Sequence, residues 1–317
     1  MAWNIWPQRL PNLCISHWKG DHAIKFISTL LVATDLSAPS RFATARAASI
    51  ASASKARLEL LHVIENRGMA ALRDLFGDAV TSVTARLEED FRAELAGLAA
   101  EICEPLGLSV GQHLRHGKVL DEITDLGDAL DASLVVLGAH GAGFVRQILV
   151  GTTAERLLRR ALRPLLVVRR PVESVYRRVL VAVDFSPGSL TAVKYARAVA
   201  PDATLTLFHA FEIPFEGRLR AASVEESLLD HYRAQARQQA MQGLHRLADE
   251  AGLTTDSYQV IVTHGTPGFR VMDAAGQVSA DLIVMCKHGV SMTNELLLGS
   301  VTRYVLTETD RDVLVVR

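Results

Sequence analysis

Apolar residues in this chain come mostly in short, near-continuous runs rather than in strict alternation. Five strand candidates, near residues 28–34, 58–63, 109–114, 132–137 and 164–169, are followed by five more near 178–183, 203–209, 257–263, 280–285 and 312–316. Runs of this length suit parallel strands covered on both faces. Helical spacing fills the gaps: Pro39 to Ala53, with Ser37 or Ser40 available as a cap; Leu72 to Leu98, with mixed charges; Ala154 to Leu162; and Glu216 to Leu253. The last of these is amphipathic, and its polar stripe reads as a solvated face. Alternating strands and helices predict an α/β chain built from two tandem doubly wound domains, each with a five-stranded parallel sheet.

The second half repeats the first. Leu31-Val32-Ala33-Thr34-Asp35-Leu36-Ser37 returns as Val181-Ala182-Val183-Asp184-Phe185-Ser186, and Leu134 to Gly141 returns as Leu282 to Gly289. Asp184 lies 149 positions after Asp35, whereas His288, Gly289 and Gly299 lie 148 positions after His140, Gly141 and Gly151. So small a drift implies duplication of a whole domain, because a short solenoid repeat would recur many more times. The expected organisation is an extension over 1–27, a first domain over 28–170 and a second over 171–317. The linker, residues 170–177, is short enough to hold the domains against each other.

Composition narrows the chemistry. At 317 residues the chain is long enough for two domains with a core each, and its 49% apolar and 22% charged residues are ordinary for a globular protein. A formal net charge of −1 argues against a nucleic-acid partner held mainly through phosphates. Cys14, Cys103 and Cys286 form no CxxC pair, so neither a disulfide framework nor a zinc knuckle is expected, and a reducing cytoplasm is the expected location. No apolar run is long enough for a transmembrane helix. The first 28 residues lie outside the repeat and hold all three tryptophans, Trp3, Trp6 and Trp18. Arg9, His17, Lys19, Asp21 and His22 break that segment up, so it lacks a signal-peptide core; it reads as an amphipathic tail or as an extension of little consequence.

In an open parallel sheet a ligand lies beyond the carboxyl ends of the strands where the strand order reverses. Asp35 follows the first strand and Gly138 the fourth, so both border one crevice if these strands are neighbours. Gly138 and Gly141 let backbone approach a ligand closely. Gly151-Thr152-Thr153 then opens a helix, offering free N–H groups and two hydroxyls to an anion. A phosphate chain fits there, with the Asp35 carboxylate accepting from ribose hydroxyls or the adenine amine.

The pattern Gly-x2-Gly-x9-Gly-Ser/Thr after a fourth strand, with Asp after the first, resembles the universal stress protein family, and the duplication resembles its tandem form. The resemblance covers about residues 28 to 317 and implies a Rossmann-like fold of the adenine nucleotide alpha hydrolase type. It implies ATP, with or without Mg²⁺, held by Ala33, Thr34, Asp35 and Val63 at the adenosine end. Leu137, Gly138, His140, Gly141, Gly151, Thr152 and Thr153 would take the phosphates. It further implies that the last strands, Pro164 to Arg169 and Asp312 to Arg317, pair between domains or chains, leaving open a homodimer and an unidentified protein partner.

The second half departs from that pattern. Cys286 stands where Gly138 stands, and residues 290–298 carry Glu295 and no base, whereas 142–150 carry Arg146 and no acid; Lys287 partly compensates. A triphosphate is therefore expected mainly in the first domain. Asp184, His288, Gly289, Gly299, Ser300 and Val301 form a weaker second site, unless cysteine simply adopts an ordinary strand conformation and both sites bind. Cys286 beside Lys287 and a helix start has the setting of a redox thiol, but a small buried residue is the favoured reading.

Three histidine pairs recur. His62 and His209 read as strand-end side chains bonded to backbone, His140 and His288 as residues that shape the glycine loops or pack beneath them, and His116 and His264 as turn residues before Gly117 and Gly265. Their spacing is not that of a metal site. There is no Gly-x4-Gly-Lys-Ser/Thr loop, SGGxDS-type loop, HIGH-like signature or acid cluster, so no turnover beyond slow ATP hydrolysis or autophosphorylation is expected. The function expected is an ATP-binding stress-response regulatory module. The alternative is an interaction scaffold with vestigial sites or a lipid-like ligand in the second domain.

Overall fold

A computed structural model describes residues 27–66, 80–139, 152–160, 163–287 and 298–317. The tryptophan-rich extension therefore lies outside the described residues, as do Cys14, Leu72 to Asp78, and the glycine-loop positions His140, Gly141, Gly151, His288 and Gly289.

The ten strand candidates are ten strands of one continuous sheet. In the first half they are β1 Thr29–Ala33, β2 Arg57–Glu65, β3 Val110–Gly117, β4 Leu134–Gly138 and β5 Leu165–Val168. In the second half they are β6 Arg178–Ala182, β7 Thr204–Phe211, β8 Tyr258–His264, β9 Leu282–Cys286 and β10 Asp312–Val316. The order is β3-β2-β1-β4-β5-β10-β9-β6-β7-β8, so each half carries the doubly wound order expected of it. All neighbours run parallel except β5 and β10, which pair antiparallel with Leu166 opposite Leu314. That contact joins the halves within one chain, as the family resemblance implied, and it sends the carboxyl ends of the two half-sheets to opposite edges.

Helices cover both faces. On one lie α1 Ala38–Ser54, α2 Val80–Cys103, α5 Gly188–Val199 and α7 Glu226–Glu250. On the other lie α3 Val119–Ala129, α4 Thr152–Arg160, α8 Pro267–Gln277 and α9 Ser300–Glu308. Alternate residues of each strand feed the two layers: Leu30 and Val32 point into one, Leu31 into the other. Each layer runs unbroken across the β5–β10 seam, because strand residues of both halves belong to it, such as Val168 with Val316 and Val167 with Val315. The halves are thus two folding patterns on a shared core.

Two helix expectations need correction. The stretch Glu216 to Leu253 is not one helix: a short α6, Glu216–Ala221, precedes α7, and Ser223 between them takes a left-handed backbone with φ 59°. Its polar face is also more than a solvated stripe, since Arg233 of α7 reaches back to Glu216 of α6 and also binds Glu226 and Asp230. At α1, Ser37 occupies the N-cap position, yet neither Ser37 nor Ser40 caps the helix through its side chain. Both hydroxyls serve the loop after β1 instead.

Candidate crevices at the carboxyl ends of the strands

The order turns between β1 and β4, which is where an open parallel sheet leaves a crevice for a ligand. Ala33 lies opposite Leu137 there, which brings Asp35 and Gly138 to the same edge. The β1 loop is built by short bonds. Thr34 N–H donates to Leu61 O at 2.9 Å, and the Thr34 hydroxyl accepts from Leu36 N–H at 3.0 Å and pairs with Ser40 at 2.8 Å. Asp35 Oδ1 accepts from Ser37 N–H at 3.1 Å and from the Ser37 hydroxyl, closing an Asx turn that fixes the carboxylate. Between them Leu36 is held at φ 63°, a costly conformation for a branched side chain.

The second half rebuilds this loop with different side chains. Asp184 Oδ1 accepts from Ser186 N–H and from the Ser189 hydroxyl, each at 2.9 Å, and Phe185 sits at φ 59° where Leu36 sits. Val183 replaces Thr34, so the hydroxyl that ties the first loop to α1 is absent here. The recurrence of a left-handed non-glycine residue after each aspartate was not anticipated, although the repeated segments that contain both were plain in the sequence.

His62 and His209 behave as expected. Nδ1 of His62 lies 2.9 Å from Thr34 O and Nδ1 of His209 lies 2.8 Å from Val183 O, so each pins the backbone beside its aspartate. Burial pushes the His209 pKa down, against the Val183 carbonyl and Asp184, which favour its cation. A neutral imidazole therefore faces the second crevice near neutral pH.

A cavity of about 230 Å³ opens in that second crevice. Of the residues expected at the weaker site, Asp184, Gly299, Ser300 and Val301 line it together. Phe208, His209, Ala210, Val271 and Met285 line it too and were missed. The repeat would have yielded some of them, since His209 and Ala210 stand 147 positions after His62 and Val63. Val271 comes from α8 and carried no signal in the sequence.

In the first crevice Ala33, Thr34, Asp35, Leu137 and Gly138 gather at the ends of β1 and β4. Half-buried Val63 stands in β2 opposite Arg115. Thr152 begins α4, and half-buried Thr153 lies in its first turn.

The Gly138/Cys286 difference follows the alternative read from the sequence, an ordinary strand conformation for the cysteine. Both residues end a strand in the same register, Gly138 opposite Val168 and Cys286 opposite Val316. Gly138 is not among the described glycines with positive φ, so its use here is not a left-handed turn. Cysteine therefore fits the backbone unchanged. Its Sγ packs where a Cβ on Gly188, in the first turn of α5, would come within 3.1 Å, and in the first half the residue matching Gly188 is Pro39. The exchange of Gly138 for Cys286 is thus accommodated by the exchange of Pro39 for Gly188. Burial first, and then the nearby Asp184 charge, push the Cys286 thiol up to about 12, against the Ser186 and Ser189 hydroxyls. A buried, protonated thiol is what the favoured reading expected, and the redox setting is not realised.

The loop that Lys287 was expected to compensate, residues 290–298, lies mostly outside the described residues, but one bond of Lys287 is seen. Its ammonium is buried and donates to Arg159 O, in the other half of the chain, at 2.8 Å. Among the described residues no three His, Cys, Asp or Glu side chains converge as a metal site requires. No described helix is long and apolar enough to cross a membrane.

The universal stress protein family matches the chain twice, over residues 27–169 and 175–317. A universal stress protein of Mycolicibacterium smegmatis is 27% identical over 306 residues, covering 91% of this chain and 96% of its own length. One from Methanocaldococcus jannaschii is 29% identical over 148 residues, 46% of this chain and 84% of the relative. The crystal structure of a universal stress protein from Archaeoglobus fulgidus superposes with a TM-score of 0.62 at 20% identity, over 91% of this chain and 98% of that one. At that identity the likeness speaks for the fold.

Proposed function

The chain belongs to the universal stress protein family, carried twice in tandem, and on that premise we propose that it is an adenine-nucleotide-binding regulatory module that takes ATP, with Mg²⁺ as counter-ion, mainly in its first half. The observation that carries this reading is the meeting of Asp35 and Gly138 at one strand-order reversal, with an Asx turn aiming the carboxylate and α4 beginning at Thr152. Asp35 would accept from ribose or adenine, and Ala33, Thr34 and Val63 would border the adenosine. The glycine loop with His140, Gly141, Gly151, Thr152 and Thr153 would carry the phosphates, since backbone N–H groups at a helix start favour an anion. No residue is placed as a catalyst. Binding orders the loop and biases the surface offered to a protein partner, in a cytoplasmic stress response.

The preference for the first half rests on charge and on Thr34. The first loop carries Arg146 and no acid, whereas the second carries Glu295 and no base, so a polyanion is favoured in the first. The second crevice supports another reading of its own: neutral His209 beside Phe208, Val271 and Met285 suits an uncharged, lipid-like ligand on a scaffold.

The test is to denature protein purified without added nucleotide, then identify and count what is released. About one ATP or ADP per chain is expected, with Mg-ATP binding by calorimetry abolished by Gly138→Val and weakened no more than severalfold by Gly289→Val. About two per chain, or equal loss from both variants, would end the asymmetry. No release and no calorimetric signal would leave the scaffold reading in its place.

A further inference from the structure

The two crevices open at opposite edges of the sheet, yet the helix that starts at each one ends on a cation from the other half. α4 starts at Thr152 and Thr153, which the proposed function assigns to the first crevice, and in its last turn the Arg159 carbonyl accepts from Lys287 Nζ at 2.8 Å. Lys287 directly follows Cys286 in the second crevice, and its own carbonyl accepts from Gly299 N–H at 3.0 Å, where α9 begins. In return α9, which starts at Gly299 and Ser300, offers its Leu306 carbonyl near its carboxyl end to the guanidinium of Arg169. Arg169 follows β5, whose last residue, Val168, pairs with Gly138 of the first crevice.

We propose that Lys287 and Arg169 are positioning residues that couple the two ligand sites across the domain seam. The coupling has a physical basis at both ends of each helix. A cation at the carboxyl end and an anion at the amino end complement the same macrodipole, and a helix of nine residues moves as a rigid body between them. A ligand that orders the Gly299–Lys287 peptide link fixes the Lys287 stem, which holds α4 and hence Thr152 and Thr153 in the other site. By linkage the effect is reciprocal. Lys287 is 6% exposed, so solvent cannot take over its role on the Arg159 carbonyl. The first half has Ala139 at the position of Lys287, so this link is not a plain product of duplication.

The proposal rests on nucleotide binding at the crevices, and its test separates the two claims. Mg-ATP binding to the full chain is measured by calorimetry in the wild type, Lys287→Met, Lys287→Arg and Asp184→Ala, with hydrogen exchange followed on α4. In the wild type, disabling the second crevice with Asp184→Ala is expected to weaken the first about twofold to fivefold, the range of a helix-end charge effect. In a Lys287→Met background the same substitution is expected to change nothing further. Lys287→Arg is expected to restore the coupling, and Lys287→Met to speed exchange in the first turn of α4, sixteen or more positions before the second half begins. Independent affinities in the wild type, or exchange altered only in the last turn of α4, would overturn the coupling while leaving nucleotide binding intact. Failure of the wild type to take up Mg-ATP at all would overturn both.

Discussion

At the scale of single residues, the Asp35 and Asp184 loops were legible because chemistry and position repeat together. The role of Cys286 was only half legible. That it replaces Gly138 can be read directly, but its consequence depends on Gly188, nearly a hundred positions away, where the first half has Pro39. A pair of exchanges that fit one another only in three dimensions leaves no local pattern. Because burial holds the Cys286 thiol at about 12, its thiolate is scarce throughout the neutral range. Alkylation of Cys286 by iodoacetamide, followed by mass spectrometry of its peptide in the native chain, is expected to stay slow and to rise about tenfold per pH unit without levelling off from pH 7 to about 10. A rate that climbs with a midpoint at the ordinary thiol value of about 8.5 would contradict the burial. The linkage has a definite sign: the unfolded chain loses this proton first, so the site subtracts stability as pH rises above about 8.5 and towards 12.

At the scale of elements, the inner strands were readable because most are short apolar runs between polar segments, whereas the edge strands β3 and β8, polar and partly exposed, were placed by the repeat. The long helices were less readable. Nothing in the composition of Glu216 to Leu253 marks Ser223 as a left-handed residue, and no glycine or proline stands between Glu216 and Gln242 except Gly217. What holds α6 apart from α7 is the set of ion pairs on Glu216: Arg233, Arg220 at 3.3 Å and His264 Nε2 at 2.8 Å. These partners draw the Glu216 carboxyl below its usual range, led by the Arg233 bond. Glu216→Gln is expected to speed hydrogen exchange over residues 216–225 severalfold while leaving exchange in the central strands unchanged. Unchanged exchange in that segment would mean that packing, rather than charge, places α6. The corresponding stretch of the first half includes residues 67–79, outside those described.

At the scale of the whole molecule, duplication was evident from the constant offset, and pairing of the last strands followed from family resemblance. The seam was not legible in detail. Asp312 reads as the polar start of a strand, matched by Pro164 in the first half, yet it is 1% exposed. Its carboxylate accepts from Arg169 N–H at 2.7 Å and from the Tyr176 hydroxyl at 2.6 Å, and Arg46 of α1 approaches it at 3.4 Å while lying 3.9 Å over the Tyr176 ring. One acid thus gathers the first half, the linker and β10, through partners more than a hundred positions away that no local spacing reveals. Removing one member of such a cluster leaves the others buried without their charge partner, which costs about 3–5 kcal/mol. Asp312→Ala is therefore expected to lower the unfolding free energy of the full chain by about that much in urea, with Asp312→Asn milder because an amide oxygen still accepts from Arg169 N–H. Burial also raises the Asp312 carboxyl above its ordinary value against the pull of its donors. The folded chain then holds that proton more tightly, so the site loses stability as pH rises from about 3.9 through the raised value. The Asn variant should lack that slope; a wild type and Asn variant with parallel pH profiles would show that Asp312 titrates as it does in water, and that the seam is held by the strand pairing of β5 and β10 alone.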